Sequence, residues 1–390
     1  QRNFISFLVK GVRDRPSVVG VELIADPPSL KASSIAETAA GEAGSASGKV
    51  VRSSSATEYF GTGMCWRTWA VADLAGRTAR IRVNDNSGSS PITADNFVMS
   101  DVPRSLPTDA STPFNETLRP QFHFTAETGW LNDANGMFYY EKQWHLFHQH
   151  HPPGAQAVMW GRAVSDDLLR WRHLPVALPA EGRYGIASGS AAADWENTSG
   201  LKCGTDPAIL LFYTLHPAGD SARKATQCLA FSVDGGRSFE KFSGNPVLRT
   251  RDSYDRDPKV FFHKPTRAWF MVLSLSRNNA DRDHATYGLF RSKDTKSWEL
   301  LQEIGPGAWY WECPDMFEMP VDGEPGLTKW LLMKGAGDYI IGSFDGNRFN
   351  PENGPVRIQW GGCYYGAQTF NEAPGGRRIH VVDESLRAEN

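Results

Sequence analysis

The chain has 390 residues and a formal net charge of −3, with no long run of either sign. That balance argues against nucleic acid and anionic membrane surfaces as partners, and no apolar stretch reaches the roughly 18–20 residues of a membrane span. Aromatic residues are plentiful, with 13 Trp, 21 Phe and 11 Tyr; most belong in a core, and a surplus of Trp beside polar turns also suits stacking on sugar rings. The 5 cysteines have no metal-ligand spacing and read as reduced thiols.

Residues 1–26 alternate in a strand-like way, through Phe4, Ile5, Phe7, Leu8 and Val9 and then 18–24. Residues 27–58 are mostly Ser, Ala, Gly and Pro and predict a long loop. Strand patterns return over 66–71 and 79–83, followed by a turn cluster at 84–88. Residues 1–102 thus predict a small β-sandwich. Residues 103–117, with Pro103, Pro107 and Pro113 among Ser, Thr and Asp, predict a linker.

From 118 to 390 short β-runs alternate with polar turns, and helical periodicity is absent. An internal repeat emerges there. Ser165-Asp166-Asp167, Ser232-Val233-Asp234, Ser292-Lys293-Asp294 and Ser343-Phe344-Asp345 each follow an apolar run and close on an aromatic residue. The copies start 67, 60 and 51 residues apart, which suits one four-stranded propeller blade per repeat.

The stretch Trp130-Leu131-Asn132-Asp133-Ala134-Asn135-Gly136 sets two Asn and one Asp between strand-like aromatic runs. Asn, Asp and Gly favour turns. A polar turn between strands is a place where a β-protein presents a carboxylate to a pocket, although a tight hairpin without chemistry explains the same residues. Two further acidic turns fall in later repeats, Asp255-Arg256-Asp257-Pro258 and Trp311-Glu312-Cys313-Pro314. Taken singly, Asp257 reads as a surface partner of Arg256 and Glu312 as a solvated turn residue. A propeller changes that weighting, because it brings the inner strand of every blade to one axis.

Together the three stretches resemble the ordered signatures of glycoside hydrolase family 32, the invertase, inulinase and levanase family: Trp-Met-Asn-Asp-Pro-Asn-Gly, Arg-Asp-Pro and Glu-Cys-Pro. Residues 147–152, 160–171, 188–200 and 365–370 resemble four further blocks, so the resemblance covers about 118–380. It implies an all-β fold, a five-bladed β-propeller with a funnel-shaped site, here preceded by the small β-sandwich. It implies a retaining glycoside hydrolase that releases fructosyl units from sucrose, inulin or levan through a covalent fructosyl-enzyme intermediate. In that scheme Asp133 is the nucleophile, Glu312 the general acid/base and Asp257 the transition-state stabiliser. The chemistry asks for two carboxyl groups about 5–5.5 Å apart, and for a Glu312 kept protonated by nearby Asp charge and by the surroundings of Trp309 and Trp311. Asn132, Gln149, Trp160 and Ser190 stand at positions that resemble the family's sugar contacts, with Arg256 orienting Asp257. The implied partner is a fructose-containing oligo- or polysaccharide, and the mechanism needs no cofactor and no metal.

Three departures accompany the resemblance. Ala134 replaces a Pro, which predicts a less preorganised backbone with the chemistry retained. Cys363 stands where many members carry an Asp that contacts fructosyl hydroxyls. Only four Ser-x-Asp copies are visible, so the propeller is expected to be incomplete at its C-terminal end, with exposed strand edges that favour pairing, including a homo-oligomer. A fructosyltransferase of the same family and a non-catalytic fructan-binding protein are the alternatives. The possible glycosylation acceptors at Asn115 and Asn197, and an opening residue other than Met, fit a secreted protein whose leader has been removed.

Overall fold

The structure, a computed structural model, describes residues 4–10, 19–26, 49–55, 65–85, 93–100, 114 and, short gaps apart, 119–384. Most of the 103–117 segment, Asn115 and Cys363 lie outside the described residues. One compact unit is Thr117–Glu384, and the other holds the N-terminal part of the chain. Among the described residues the only helical elements are three short 3-10 turns.

In the N-terminal unit Phe4–Lys10 pairs with Cys65–Ala70 and Thr93–Ser100, while Val19–Ala25 pairs with Lys49–Ser55 and Ala79–Asp85. The two sheets share one apolar cluster, in which Ile5, Phe7 and Trp69 meet Val21, Leu23 and Ala25. The strand Lys49–Ser55 corrects the expectation of an unbroken loop over 27–58. Its three consecutive Ser hide the signal, but Val50 and Val51 suit a strand, and its backbone pairs with Val19–Ala25 from Lys49 to Ser55 with one slip at Val51.

The Thr117–Glu384 unit is a series of antiparallel sheets laid down in chain order. The first sheet runs through Trp130–Tyr140, Gln143–His151, Met159–Ser165 and Arg172–Leu178. The second runs through Tyr184–Asp194, Ala208–Pro217 and Thr226–Ser232, edged by two short strands. Arg256–His263, Ala268–Arg277, Asp281–Ser292 and Glu299–Ile304 form the third. Asp315–Val321, Glu324–Met333, Tyr339–Phe344 and Phe349–Val356 form the fourth. Tyr364–Thr369 and His380–Glu384 pair as a fifth. Every Ser-x-Asp copy caps the link from the third strand of its sheet to the next, where the Asp carboxylate accepts backbone N–H bonds, as Asp167 does from Arg170 at 2.7 Å and Asp345 from Arg348 at 2.7 Å. The repeat is therefore one structural turn used four times.

Apolar clusters fill the spaces between successive sheets. Phe138, Phe147 and Trp160 pack on Ile186, Leu211 and Tyr213, and Phe270, Val272 and Tyr287 pack on Met316, Trp330 and Leu332. Each such side chain contributes about 1.5–3 kcal/mol on burial. The fifth sheet bonds back to the first: Asn371 N–H donates to Met137 O at 2.9 Å, and Tyr139 N–H donates to Asn371 O at 3.0 Å. Phe370 and Val381 then share a cluster with Ala134, Met137 and Trp144. The propeller is expected to be incomplete at its C-terminal end; the described residues there, Asn371, Phe370 and Val381, pack against the first sheet. The Asn371 amide also donates to Ala191 O at 2.7 Å and Val260 O at 3.1 Å, which ties the second and third sheets to the same point.

Candidate active site

The stretch expected as a polar turn is instead the start of a strand of 11 residues, Trp130–Tyr140. Its register against Gln143–His151 slips twice, between Leu131 and Ala134 and between Asn135 and Phe138. The two bulges take up the turn-forming residues while the aromatic flanks keep the ladder. Gly136, at φ +51°, is required there because a Cβ would stand 2.8 Å from the Phe147 ring. The bulge turns Asp133 toward the second sheet. Asp133 Oδ1 accepts from Asn132 Nδ2 at 2.9 Å, and Oδ2 accepts from Gln149 Nε2 at 3.2 Å and from the Ser188 hydroxyl. Ser188 itself lies at a register slip of Tyr184–Asp194.

Asp257 occupies a third bulge, between Arg256 and Lys259 of the third sheet's first strand, at φ +64°. A left-handed backbone at a non-glycine residue is strained and persists only where its surroundings hold it. Here the Asp257 N–H donates to Thr214 Oγ1 at 3.0 Å, and Thr214 donates to Gln227 Oε1 at 2.8 Å. Asp257 Oδ2 accepts the Cys313 N–H at 3.0 Å.

Glu312 precedes the fourth sheet, and it and Cys313 also have positive φ, +58° and +43°. The Glu312 N–H donates to Ser274 Oγ at 3.1 Å, and its carbonyl accepts from Tyr287 OH at 3.1 Å. Its carboxylate accepts from Arg256 Nη2 at 2.6 Å and from the Tyr365 hydroxyl. Arg256 also brings Nε to 3.8 Å from Asp257 Oδ2 and lies 4.7 Å above the Trp311 ring. Trp309 packs in the apolar cluster with Tyr310 and under Lys334 Nζ at 5.8 Å, while Trp311 is the one of the two that meets Arg256.

Three sheets thereby deliver three carboxyl groups to one place, and one sulfur atom links two of them. Cys313 Sγ is 3.7 Å from Asp133 Oδ2 and 3.7 Å from Asp257 Oδ2. Burial pushes the thiol well above its usual range, with the Asp257 and Asp133 charges adding, so it is a protonated donor. Burial also raises Asp133, opposed by the Ser188 bond and reinforced by the Glu312 charge. Asp257 is pushed up to about 7 by burial, with Arg256 opposing and Glu312 and Asp133 adding. Among the described residues no group of three or more His, Cys, Asp or Glu is arranged to hold a metal ion.

Asn132, Gln149 and Arg256 touch the carboxylates directly. Trp160 and Ser190, expected as sugar contacts, do not. Trp160 is fully buried in the core between the first two sheets, with its indole N–H donated to Ala187 O at 2.9 Å. The Ser190 hydroxyl is committed between sheets, donating to Pro258 O at 2.7 Å and accepting from Val260 N at 2.9 Å. Both hold the strands that carry the site. The contacts that sequence reasoning passed over are Ser188, Cys313 and Tyr365. Each stands inside a recognised block, but motif membership does not tell which of Ser188 and Ser190 faces the carboxylate.

The fold and site define an all-β protein of serial meander sheets, with Asp133 and Asp257 on first strands and Glu312 just ahead of one. The chain belongs to glycosyl hydrolase family 32: residues 123–382 match the family model described as Glycosyl hydrolases family 32 N-terminal domain. It is similar to a levanase of Bacillus subtilis, 40% identical over 284 residues that cover 68% of this chain and 40% of the levanase. It is similar to an extracellular exo-inulinase of Meyerozyma guilliermondii, 36% identical over 281 residues, 66% of this chain and 52% of the inulinase. Its structure resembles that of a β-fructofuranosidase from Schwanniomyces occidentalis complexed with fructosyl-erythritol, at TM-score 0.63 and 34% identity over 71% of this chain and 56% of the other. The chain thus spans about half the length of these relatives, or less.

Proposed function

We propose that the protein is a β-fructosidase that hydrolyses sucrose or β-fructans with retention of configuration. The observation that carries this reading is the meeting of Asp133, Asp257 and Glu312, from three separate sheets, around Cys313 and Arg256. Asp133 attacks C2 of the fructosyl unit while Glu312 gives its proton to the departing glycosidic oxygen. The resulting ester is hydrolysed by a water that Glu312 deprotonates. Asn132, Gln149 and Ser188 aim the Asp133 oxygens and lower the cost of holding its charge in a dry site. Asp257 accepts sugar hydroxyls and stabilises the developing positive charge at the anomeric centre. A levanase and an extracellular exo-inulinase among the relatives support both this substrate class and secretion, and the five sheets support a five-bladed propeller.

The test is turnover of sucrose, inulin and levan, with free fructose followed against longer products. Asp133→Asn and Glu312→Gln should each lower kcat by roughly 10³-fold or more. Retention is read from the anomer of fructose that appears first, by NMR. Wild-type turnover in Asp133→Asn would end the nucleophile assignment. A wild type that binds fructan without cleaving it would leave a binding protein.

A further inference from the structure

A fourth carboxylate stands beside Asp133 and takes no part in the steps above. Asp383 lies in His380–Glu384, directly opposite Tyr365 in the ladder of the fifth sheet. Directly opposed residues of an antiparallel pair point to the same face, and Tyr365 donates its hydroxyl to Glu312. Asp383 is thus on the face that serves the acid/base. Gly366, next to Tyr365, measures its distance from the nucleophile. A Cβ on Gly366 would stand 3.0 Å from Asp133 Oδ1 and 3.5 Å from Asp383 Cβ. Asp133 and Asp383 flank one glycine, and any side chain there would crowd both.

Asp383 is half-buried, and among the described residues its carboxylate meets no hydrogen-bond donor and no cation. Burial and the nearby Asp133 charge push its pKa up to about 6, as expected of an acceptor short of donors. Such a group gains by accepting a hydroxyl from a ligand, since an unpaired buried acceptor costs free energy that a bound donor recovers. Sugar hydroxyls are donors of this kind.

We propose that Asp383 determines specificity by accepting a hydroxyl hydrogen bond from the fructosyl unit whose anomeric carbon faces Asp133. This rests on the β-fructosidase reading as to which sugar enters the site, and not on turnover. A carboxylate–hydroxyl bond is directional and stronger than a neutral one, so a sugar lacking a hydroxyl at that point gains nothing from Asp383.

The experiment measures fructose binding to the full chain by calorimetry, alongside steady-state hydrolysis of sucrose, inulin and levan, for wild type, Asp383→Ala and Asp383→Asn. Asp383→Ala should weaken fructose binding and raise KM by roughly ten- to hundred-fold, with a smaller change in kcat. Asp383→Asn keeps a neutral acceptor and the shape, and should recover part of the loss. Equal weakening in the Asn and Ala variants would assign the effect to charge on Asp133 and overturn the proposal. Fructose affinity unchanged in Asp383→Ala would overturn it too, as would a wild type that binds no fructose. Thermal melts distinguish weakened binding from unfolding, and the near-isosteric Asn variant decides if the Ala variant does not fold. A wild type that binds fructose but hydrolyses none of the sugars defeats the catalytic reading alone, and the binding series still decides the role of Asp383.

Discussion

Two populations of aspartate in the Thr117–Glu384 unit are driven in opposite directions. At the strand links, backbone N–H groups of Arg170 and Leu169 hold Asp167 down to about 2. Burial works against Asp234, but bonds from Ser232, Ser238 and Arg237 outweigh it and also hold it at about 2. On the first strands of the sheets, burial carries Asp257 up to about 7 and raises Asp133 as well. The residue type is the same, and the depth of burial differs. A turn wraps its backbone N–H groups around the carboxylate. The site carboxylates also accept hydrogen bonds, as Asp133 does from Asn132, Gln149 and Ser188, but burial and their mutual repulsion outweigh them. The links gain stability from their aspartates, while the inner strands give up stability to hold groups suited to proton transfer.

The largest effect that would test this contrast concerns Lys259, an inner charge that does have its partners. It is almost fully buried, with Nζ 3.1 Å from Asp315 Oδ2 and 2.7 Å from Thr369 O. Asp315 also accepts from Thr369 N at 2.6 Å and Oγ1 at 2.8 Å, so the pair joins the third, fourth and fifth sheets. Lys259→Met leaves a buried charge uncompensated and should lower unfolding free energy by about 3–5 kcal/mol in urea titrations. Adding Asp315→Asn removes the orphaned charge and should restore part of the loss. A Lys259→Met protein as stable as wild type would show that inner charges cost little even unpaired, and the contrast with the links would fail.

Much of this arrangement is legible in the sequence, for identifiable reasons. The Ser-x-Asp turns are local: Ser165 and Asp167 bond to backbone groups within a few residues, so their chemistry is written next to them. Asp133, Asp257 and Glu312 are legible because each sits in a short stretch of fixed composition. The bulges are not, because Asn, Asp and Gly suit a turn as well as a slipped strand, and only pairing with Gln143–His151 selects the second. Ser188 and Ser190 lie two apart on one strand, and the slip between Ile186 and Gly189 decides which one reaches Asp133. Tyr365 and Asp383 are joined to the site by ladder pairing of the fifth sheet, which no local pattern announces.

Asp257 gives a test of intermediate size. Its folded value of about 7 exceeds its ordinary 3.8, so between those values the folded state binds more protons than the unfolded chain. Stability from this group is full below about 4 and is lost as pH rises toward 7. Asp257→Asn removes the loss, and should be the more stable protein at pH 7 by an amount on the order of 1 kcal/mol or more, an advantage that shrinks toward pH 4. Urea titrations at the two pH values measure it. An advantage that grew on acidification would reverse the assignment.

The smallest effect is expected at Asp234, and the sign is the opposite one. Its folded value of about 2 lies below its ordinary 3.8, so its stabilisation is full above about 4 and is lost as pH falls toward 2. Asp234→Ala should cost about 1 kcal/mol at pH 7, a modest figure because the turn is partly solvated. The difference from wild type should close as both are taken toward pH 2. Because the turn lies far along its sheet from the first strands, fructose release should be unchanged while the melting temperature falls. A variant that kept its stability but lost turnover would show that the links reach into the site, and the division between stabilising and reactive aspartates would have to be redrawn.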